Sequence, residues 1–199
     1  MDSPAVDGPK RRMRLGEAMV SPDSYGLVLL LIVATYTVSM SFTSTWAASV
    51  VIAVQIATVW VVLRVSNARR LVRRVADVLL FLAAVAAVVN LFTGKDSDEA
   101  LITLVSAMLY LIAPFSILRH LVGRAGVDRQ TLLGAIDAYL LFGMFFAFVY
   151  RFFGVIGSAP FFGSSGDGTF PQDLFFSFTT LTTTGYGNLV PAENPGQTL

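Results

Sequence analysis

The chain has 199 residues, 55% of them hydrophobic and 14% charged, with a net charge of +1 and a mean hydropathy of +0.69. That composition is too apolar for an ordinary water-soluble domain and suits a chain that crosses a membrane several times, while the small net charge removes the case for nucleic-acid binding. The absence of cysteine excludes disulfides, thiolate metal sites and a cysteine nucleophile.

Residues 1–23 are polar, with Pro4, Pro9 and Pro22 and the basic cluster Lys10, Arg11, Arg12 and Arg14. They read as a cytoplasmic tail, with a helix expected at Met13–Met19, and not as a cleavable signal, because no small-residue cleavage site follows a short apolar core. Four apolar runs come next, Tyr25–Phe42, Trp46–Leu63, Val75–Phe92 and Leu101–Leu118, and a fifth covers Leu132–Phe153. Each is close to the roughly 20 residues that cross a bilayer as a helix, the form that satisfies its backbone internally in lipid. The third run has Asp77 inside its start, and the fifth has Asp137 and Arg151 near its ends. Both aspartates are read as partners for nearby arginines, with Arg73 and Arg74 at helical spacing from Asp77.

The connections alternate in charge. Arg64, Arg69, Arg70, Arg73 and Arg74 lie between the second and third runs, and Arg119, Arg124 and Arg129 between the fourth and fifth. With the N-terminal cluster these leave only Lys95 and Arg151 for the other side, which holds Asp96, Asp98, Glu99, Asp167, Asp173 and Glu193. The positive-inside rule then places the N-terminus in the cytoplasm and residues 154–199 outside. Thr43–Thr45 is expected as a tight outer hairpin, Gly94–Ala100 as an acidic outer loop and Leu121–Thr131 as an inner loop. The long link Gly154–Thr169, with five glycines and Pro160, is expected to be irregular, with Phe161 and Phe162 against the membrane surface or the neighbouring helices.

The most informative stretch is FPQDLFFSFTTLTTTGYGNLVP, Phe170–Pro191. An aromatic amphipathic segment at 171–181 leads into Thr183-Thr184-Gly185-Tyr186-Gly187. Gly185 and Gly187 adopt, at little cost, backbone conformations that a Cβ disfavours. Asp173 falls in the first turn of the segment, where a carboxylate complements the helix dipole.

This stretch resembles the pore helix and selectivity filter of potassium channels, whose signature is TVGYGD, and the likeness covers about twenty residues. The resemblance implies a filter at Thr183, Thr184, Gly185, Tyr186 and Gly187, where rings of backbone carbonyls replace the hydration shell of K+ and the Thr183 hydroxyl adds an inner ring. Phe175, Phe176, Thr179, Thr180 and Asn188 are the implied supports behind it. K+ is then the permeant ion, and no other metal, cofactor or small-molecule substrate is implied. With one loop per chain, the ring implies a homotetramer embedded in lipid.

The expected fold is thus an all-α membrane protein of five transmembrane helices plus a re-entrant pore helix and filter loop. It divides into a tail at 1–23, a four-helix peripheral domain at 24–130 and a partial pore domain at 131–199. The family plan continues with an inner helix, so the resemblance also implies that the sequence is a fragment ending before it. The expected location is the cell membrane.

The chain departs from the family in several places. The fourth run lacks the arginine ladder of a voltage sensor; Arg119 and His120 stand only at its inner end, and Pro114 is expected to kink or end it. Asn188 replaces the usual aspartate, and Thr179 stands where some members have a glutamate paired with it. Thr184 replaces the usual valine. Phe175 and Phe176 replace tryptophans that donate hydrogen bonds toward the filter tyrosine, so a buried Tyr186 hydroxyl would need Thr179 or Thr180.

Two other readings remain open on sequence alone. One is a potassium transporter or non-conducting regulatory subunit carrying a pore-like module, although such transporters have several degenerate filter loops and this chain has one intact GYG. The other is a membrane enzyme, which the residues disfavour. Ser164 and Ser165 lie across the membrane from the sole histidine, His120, and no HExxH motif exists.

Overall fold

The computed structural model describes residues 25–41, 45–66, 70–93, 99–123, 126–194 and 196–198. The expected tail with its helix at Met13–Met19, most of the hairpin at Thr43–Thr45 and most of the acidic loop at Gly94–Ala100 lie outside them. Among the described residues every regular element is helical: α1 Tyr25–Ser41, α2 Thr45–Val65, α3 Arg70–Thr93, α4 Glu99–Val122, α5 Arg129–Ile156 and α6 Phe170–Leu181, with a 3-10 turn at Gly163–Ser165. Two of these helices, α4 and α5, are long and apolar enough to cross a membrane; the apolar stretches Tyr25–Thr37 and Ala53–Val65 are shorter.

The helices form where apolar runs meet capping signals. Asp128 caps α5, its Oδ1 accepting from the Thr131 backbone N–H at 2.7 Å and from the Thr131 hydroxyl at 2.8 Å. Hydroxyls inside the apolar helices bond to their own backbone: Thr35, Thr58 and Thr103 donate to the carbonyls of Leu31, Val54 and Glu99. α4 runs unbroken through Pro114, so the proline does not end it. The bonds and packing of the flanking turns hold the helix where the proline N–H is missing.

Neighbouring helices pack in chain order, and α4 also touches α2, while α5 rests on α4 and α1. One core joins Val28 and Ile32 of α1, Val62 and Val65 of α2, Tyr110 and Ile117 of α4, Leu141 and Met144 of α5, and Leu174 of α6. A second joins Val59 and Leu63 to Ala76 and Leu80 of α3 and to Val105 and Leu109 of α4. On α3 the side chains of Leu71, Val75, Val78, Phe81, Leu82 and Val85 are exposed. Six large apolar side chains exposed on one helix suit lipid better than water.

Asp137 departs from expectation. It lies on the face of α5 that buries Gly134, Ala138 and Leu141, and neither carboxylate oxygen has a hydrogen-bond partner. That face is turned into the bundle, and among the described residues no arginine bonds to Asp137, so the expected partner is not met there. Asp77 is exposed on α3.

Candidate functional site

The site begins with α6, whose start is set locally. Thr169 is extended at the N-cap, and its N–H donates to Gln172 Oε1 at 2.7 Å, one half of a capping box. Pro171 occupies the first turn, where its missing N–H costs nothing. Leu174 and Ser177 are buried, and the Ser177 hydroxyl donates to the Gly143 carbonyl of α5 at 2.6 Å. At Gly143 the two helices approach so closely that a Cβ would stand 2.4 Å from the Phe178 ring. A glycine in a long apolar helix is the device that admits such contact.

Phe161 and Phe162 pack inward. With Tyr150 they form a buried cluster against Phe146, Phe153, Phe176 and Leu189, which settles their expected place in favour of the helices over the membrane surface. The link from α5 to α6 is irregular around the short turn at Gly163–Ser165. Asp167 Oδ1 accepts from the Phe161 N–H at 3.0 Å, and the Phe161 carbonyl accepts from the Ala192 N–H at 2.8 Å.

α6 ends at Leu181, and the chain leaves it through an unusual backbone. Thr183 is the one non-glycine among the described residues with positive φ, at 57°; Gly185 follows at 50° and Gly187 at 74°. Left-handed residues thus alternate with Thr184 and Tyr186. A β-branched residue in that region carries strain of about 1–3 kcal/mol, which the surroundings must hold. The Thr183 N–H donates to the Thr180 carbonyl at 2.9 Å, and the Thr179 carbonyl accepts from both Thr184 and Gly185, at 2.9 and 3.1 Å. The hydroxyls of Thr182 and Thr184 lie 2.9 Å apart.

The five residues Thr183–Gly187 are therefore adjacent, anchored at the end next to α6 and exposed throughout. Tyr186 is 71% exposed and its ring stacks on Phe175 at 5.9 Å and 11°, so its hydroxyl raises no burial problem. Phe176 turns the other way, 4.9 Å from Tyr150 and 5.4 Å from Phe162. Thr179 donates its hydroxyl to the Phe176 carbonyl at 3.0 Å and not to Asn188, because α6 is still helical at Thr179 and its own preceding turn is the nearer acceptor. Asn188 and Thr180 are exposed.

Electrostatically, the C-terminal end of α6 turns partial negative charge toward Thr182 and Thr183. Among the described residues no cluster of His, Asp and Glu side chains offers a metal site. The oxygens at hand for a cation are those of the backbone and the threonine hydroxyls, which suit a weakly held and exchangeable ion.

Two supports of the site were not read from the sequence. Gly143 is one, and its signal was a glycine amid the large residues of the fifth apolar run. Arg151 is the other: its Nε and Nη2 reach Glu99 Oε1 at 3.0 and 2.6 Å and its Nη1 reaches the Gly168 carbonyl at 2.9 Å. Its signal was its place as one of two bases set among six acids.

Residues 135–199, from α5 through the exposed segment after α6, match a protein-family model described as an ion channel. No curated protein and no solved structure matches the chain. The part of the chain that holds the site is thus similar to an ion-channel domain, which supports a membrane-embedded ion channel.

Proposed function

We propose that the chain is a subunit of a potassium-selective channel, with the filter at Thr183–Gly187 and four identical copies around one axis. The observation that carries this reading is the alternation of left-handed φ at Thr183, Gly185 and Gly187. When every second residue changes hand, successive peptide planes turn alike and their carbonyls gather on one side, whereas in a regular strand they alternate. A row of carbonyls on one side is what a dehydrated K+ requires. The exposure of the whole row in a single chain supports a cyclic assembly, because copies around an axis cover it together. The test is flux of K+ against Na+ through the native protein in liposomes. Flux that does not distinguish the two ions would overturn the reading.

The five apolar runs, with α6 dipping into the membrane without crossing it, support an N-terminus in the cytoplasm and a filter facing outside. The chain has no cysteine of its own, so single cysteines report cleanly. Ser165→Cys, at an exposed position, is expected to react with an impermeant thiol reagent added outside intact cells. Val127→Cys, also exposed, is expected to react only after permeabilisation. The opposite pattern would invert the orientation.

α4 carries no arginine before Arg119 in its last turn. A charge crossing the whole field is worth only ~2.3 kcal/mol per 100 mV, so opening is expected to depend weakly on potential. Conductance–voltage curves in symmetrical K+ without blocking ions check this, and a steep curve would mean that charges elsewhere in the bundle move.

A further inference from the structure

The end of the bundle nearest the α5–α6 link holds a buried acid that conduction through the filter does not use. Asp173 stands on the first turn of α6, a helix of 12 residues that is too short to span a membrane. The residue is fully buried, and neither carboxylate oxygen has a hydrogen-bond partner. It lies beneath the backbone of Gly168, where a Cβ would come within 3.5 Å of Asp173 Oδ1 and 2.8 Å of the Phe162 ring.

Among the described residues the charged groups that face Asp173 are Arg151 of α5, Asp167 of the link and Glu99 of α4. Arg151 is the cation of this group, and it is already engaged. Glu99 takes two of its N–H groups and the Gly168 carbonyl a third. Asp167 is held by the Phe161 N–H. Tyr150, beside Arg151, packs its ring against Phe161 and Phe176. Three acids therefore share one base, and the most buried of the three lacks a donor. An ionised carboxylate in that position is costly and a neutral one far less so.

We propose that Asp173 is a proton-binding site that sets how firmly α4 is tied to the pore helix. With its proton on, Asp173 lies neutral under Gly168 and the Glu99–Arg151 pair stays closed over it. With the proton gone, the new carboxylate competes with Glu99 for Arg151, and the tie that joins the start of α4 to the end of α5 and to Gly168 loosens. The ligand is a proton from the solution that bathes this end of the bundle. The link that Arg151 grips also carries Phe161, whose carbonyl holds Ala192 beyond the filter, so the same event reaches the filter strand.

Burial pushes the Asp173 carboxyl up to about 8, with Arg151 drawing it down and Asp167 and Glu99 adding to the rise. The sign follows from linkage. Between the ordinary carboxylate range near ~4 and the raised value, the folded protein holds a proton that the unfolded chain has released, so stability falls as pH rises. Above the raised value both states have lost it and the dependence ends.

The test uses the full chain in lipid nanodiscs with Asp137→Asn present throughout, which removes the other buried unpartnered carboxyl among the described residues; that parent, called wild type below, is set against the same protein with Asp173→Asn and titrated from about pH 6 to about pH 9.5. Infrared difference spectra of the wild type are expected to show a protonated-carboxyl component that disappears with a midpoint near pH 8 and is missing from Asp173→Asn. The thermal midpoint of the wild type is expected to fall across the same range below that value, and that of Asp173→Asn to stay level. In liposomes, the pH dependence of K+ flux from this side is expected to vanish in Asp173→Asn. A component that survives in Asp173→Asn, or a wild-type melting midpoint as level as the mutant's, would overturn the proposal. The spectra and melts need no conduction, so a wild type without selective flux counts against the channel reading and leaves the proton site to be decided by its own measurements.

Discussion

Alanine at Gly185 or Gly187 is expected to abolish selective K+ flux while the helix bundle stays folded. Neither position is crowded, since a Cβ on either glycine meets nothing within 4 Å in the single chain. The penalty is conformational: both glycines hold positive φ, where a side chain costs about 1–2 kcal/mol per residue. Four copies around one axis repeat that cost, and any relief by turning the peptide takes a carbonyl out of the row. Circular dichroism and the thermal midpoint are expected to stay near wild type, which separates the effect from misfolding. Asn188→Asp should be milder, because it adds charge beside the row without altering a left-handed residue. K+ over Na+ selectivity preserved in both glycine variants would show that Thr183–Gly187 is an ordinary loop.

Gly143→Val is expected to damage the protein by a different route. In an isolated helix, replacing glycine by a better helix former adds stability, by about 0.8–1.0 kcal/mol for alanine. Here the sign reverses. The first added carbon would stand 2.4 Å from Cε1 and Cζ of Phe178, and the Ser177 hydroxyl is bonded to the carbonyl of the same residue. The ring has to leave, and α6 moves with it, at a cost of about 1–3 kcal/mol for overpacking. The expected result is a lower thermal midpoint together with lost flux, and partial recovery in the double variant Gly143→Val, Phe178→Leu, whose smaller side chain vacates the contact. A thermal midpoint for Gly143→Val at or above wild type would mean that α6 does not rest on Gly143.

The helices were legible because their signals are long. Apolar runs of bilayer length and connections of alternating charge need no tertiary knowledge, and five helices appear over the five runs. α6 was legible to within a residue of its start because Thr169, Pro171 and Gln172 mark it locally. What failed were the statements about which way a single side chain faces. Asp137 was assigned to arginines near it in sequence, yet a rotation of α5 turns it into the bundle. Asp173 stands in the first turn of α6 as expected, but no signal in the sequence marked its side chain as buried without a hydrogen-bond partner. The left-handed φ of Thr183 had no signal at all, since threonine avoids that region unless neighbours impose it.

The strand between Thr184 and Ala192 is pinned at two points, by the Thr179 carbonyl at one end and by the Phe161 carbonyl at the other. Beyond the second point Gln197 donates to the carbonyls of Pro191 and Ala192, both at 3.0 Å, so the anchorage there is doubled. A cord fixed at both ends has no slack, and its shape depends on the distance between its fastenings as well as on its own residues. One fastening belongs to α6 and the other to the α5–α6 link. A small shift of that link relative to α6 therefore stretches or relaxes every residue between them together. The spacing of the backbone carbonyls along the segment would then be tuned from outside it, by whatever moves Phe161.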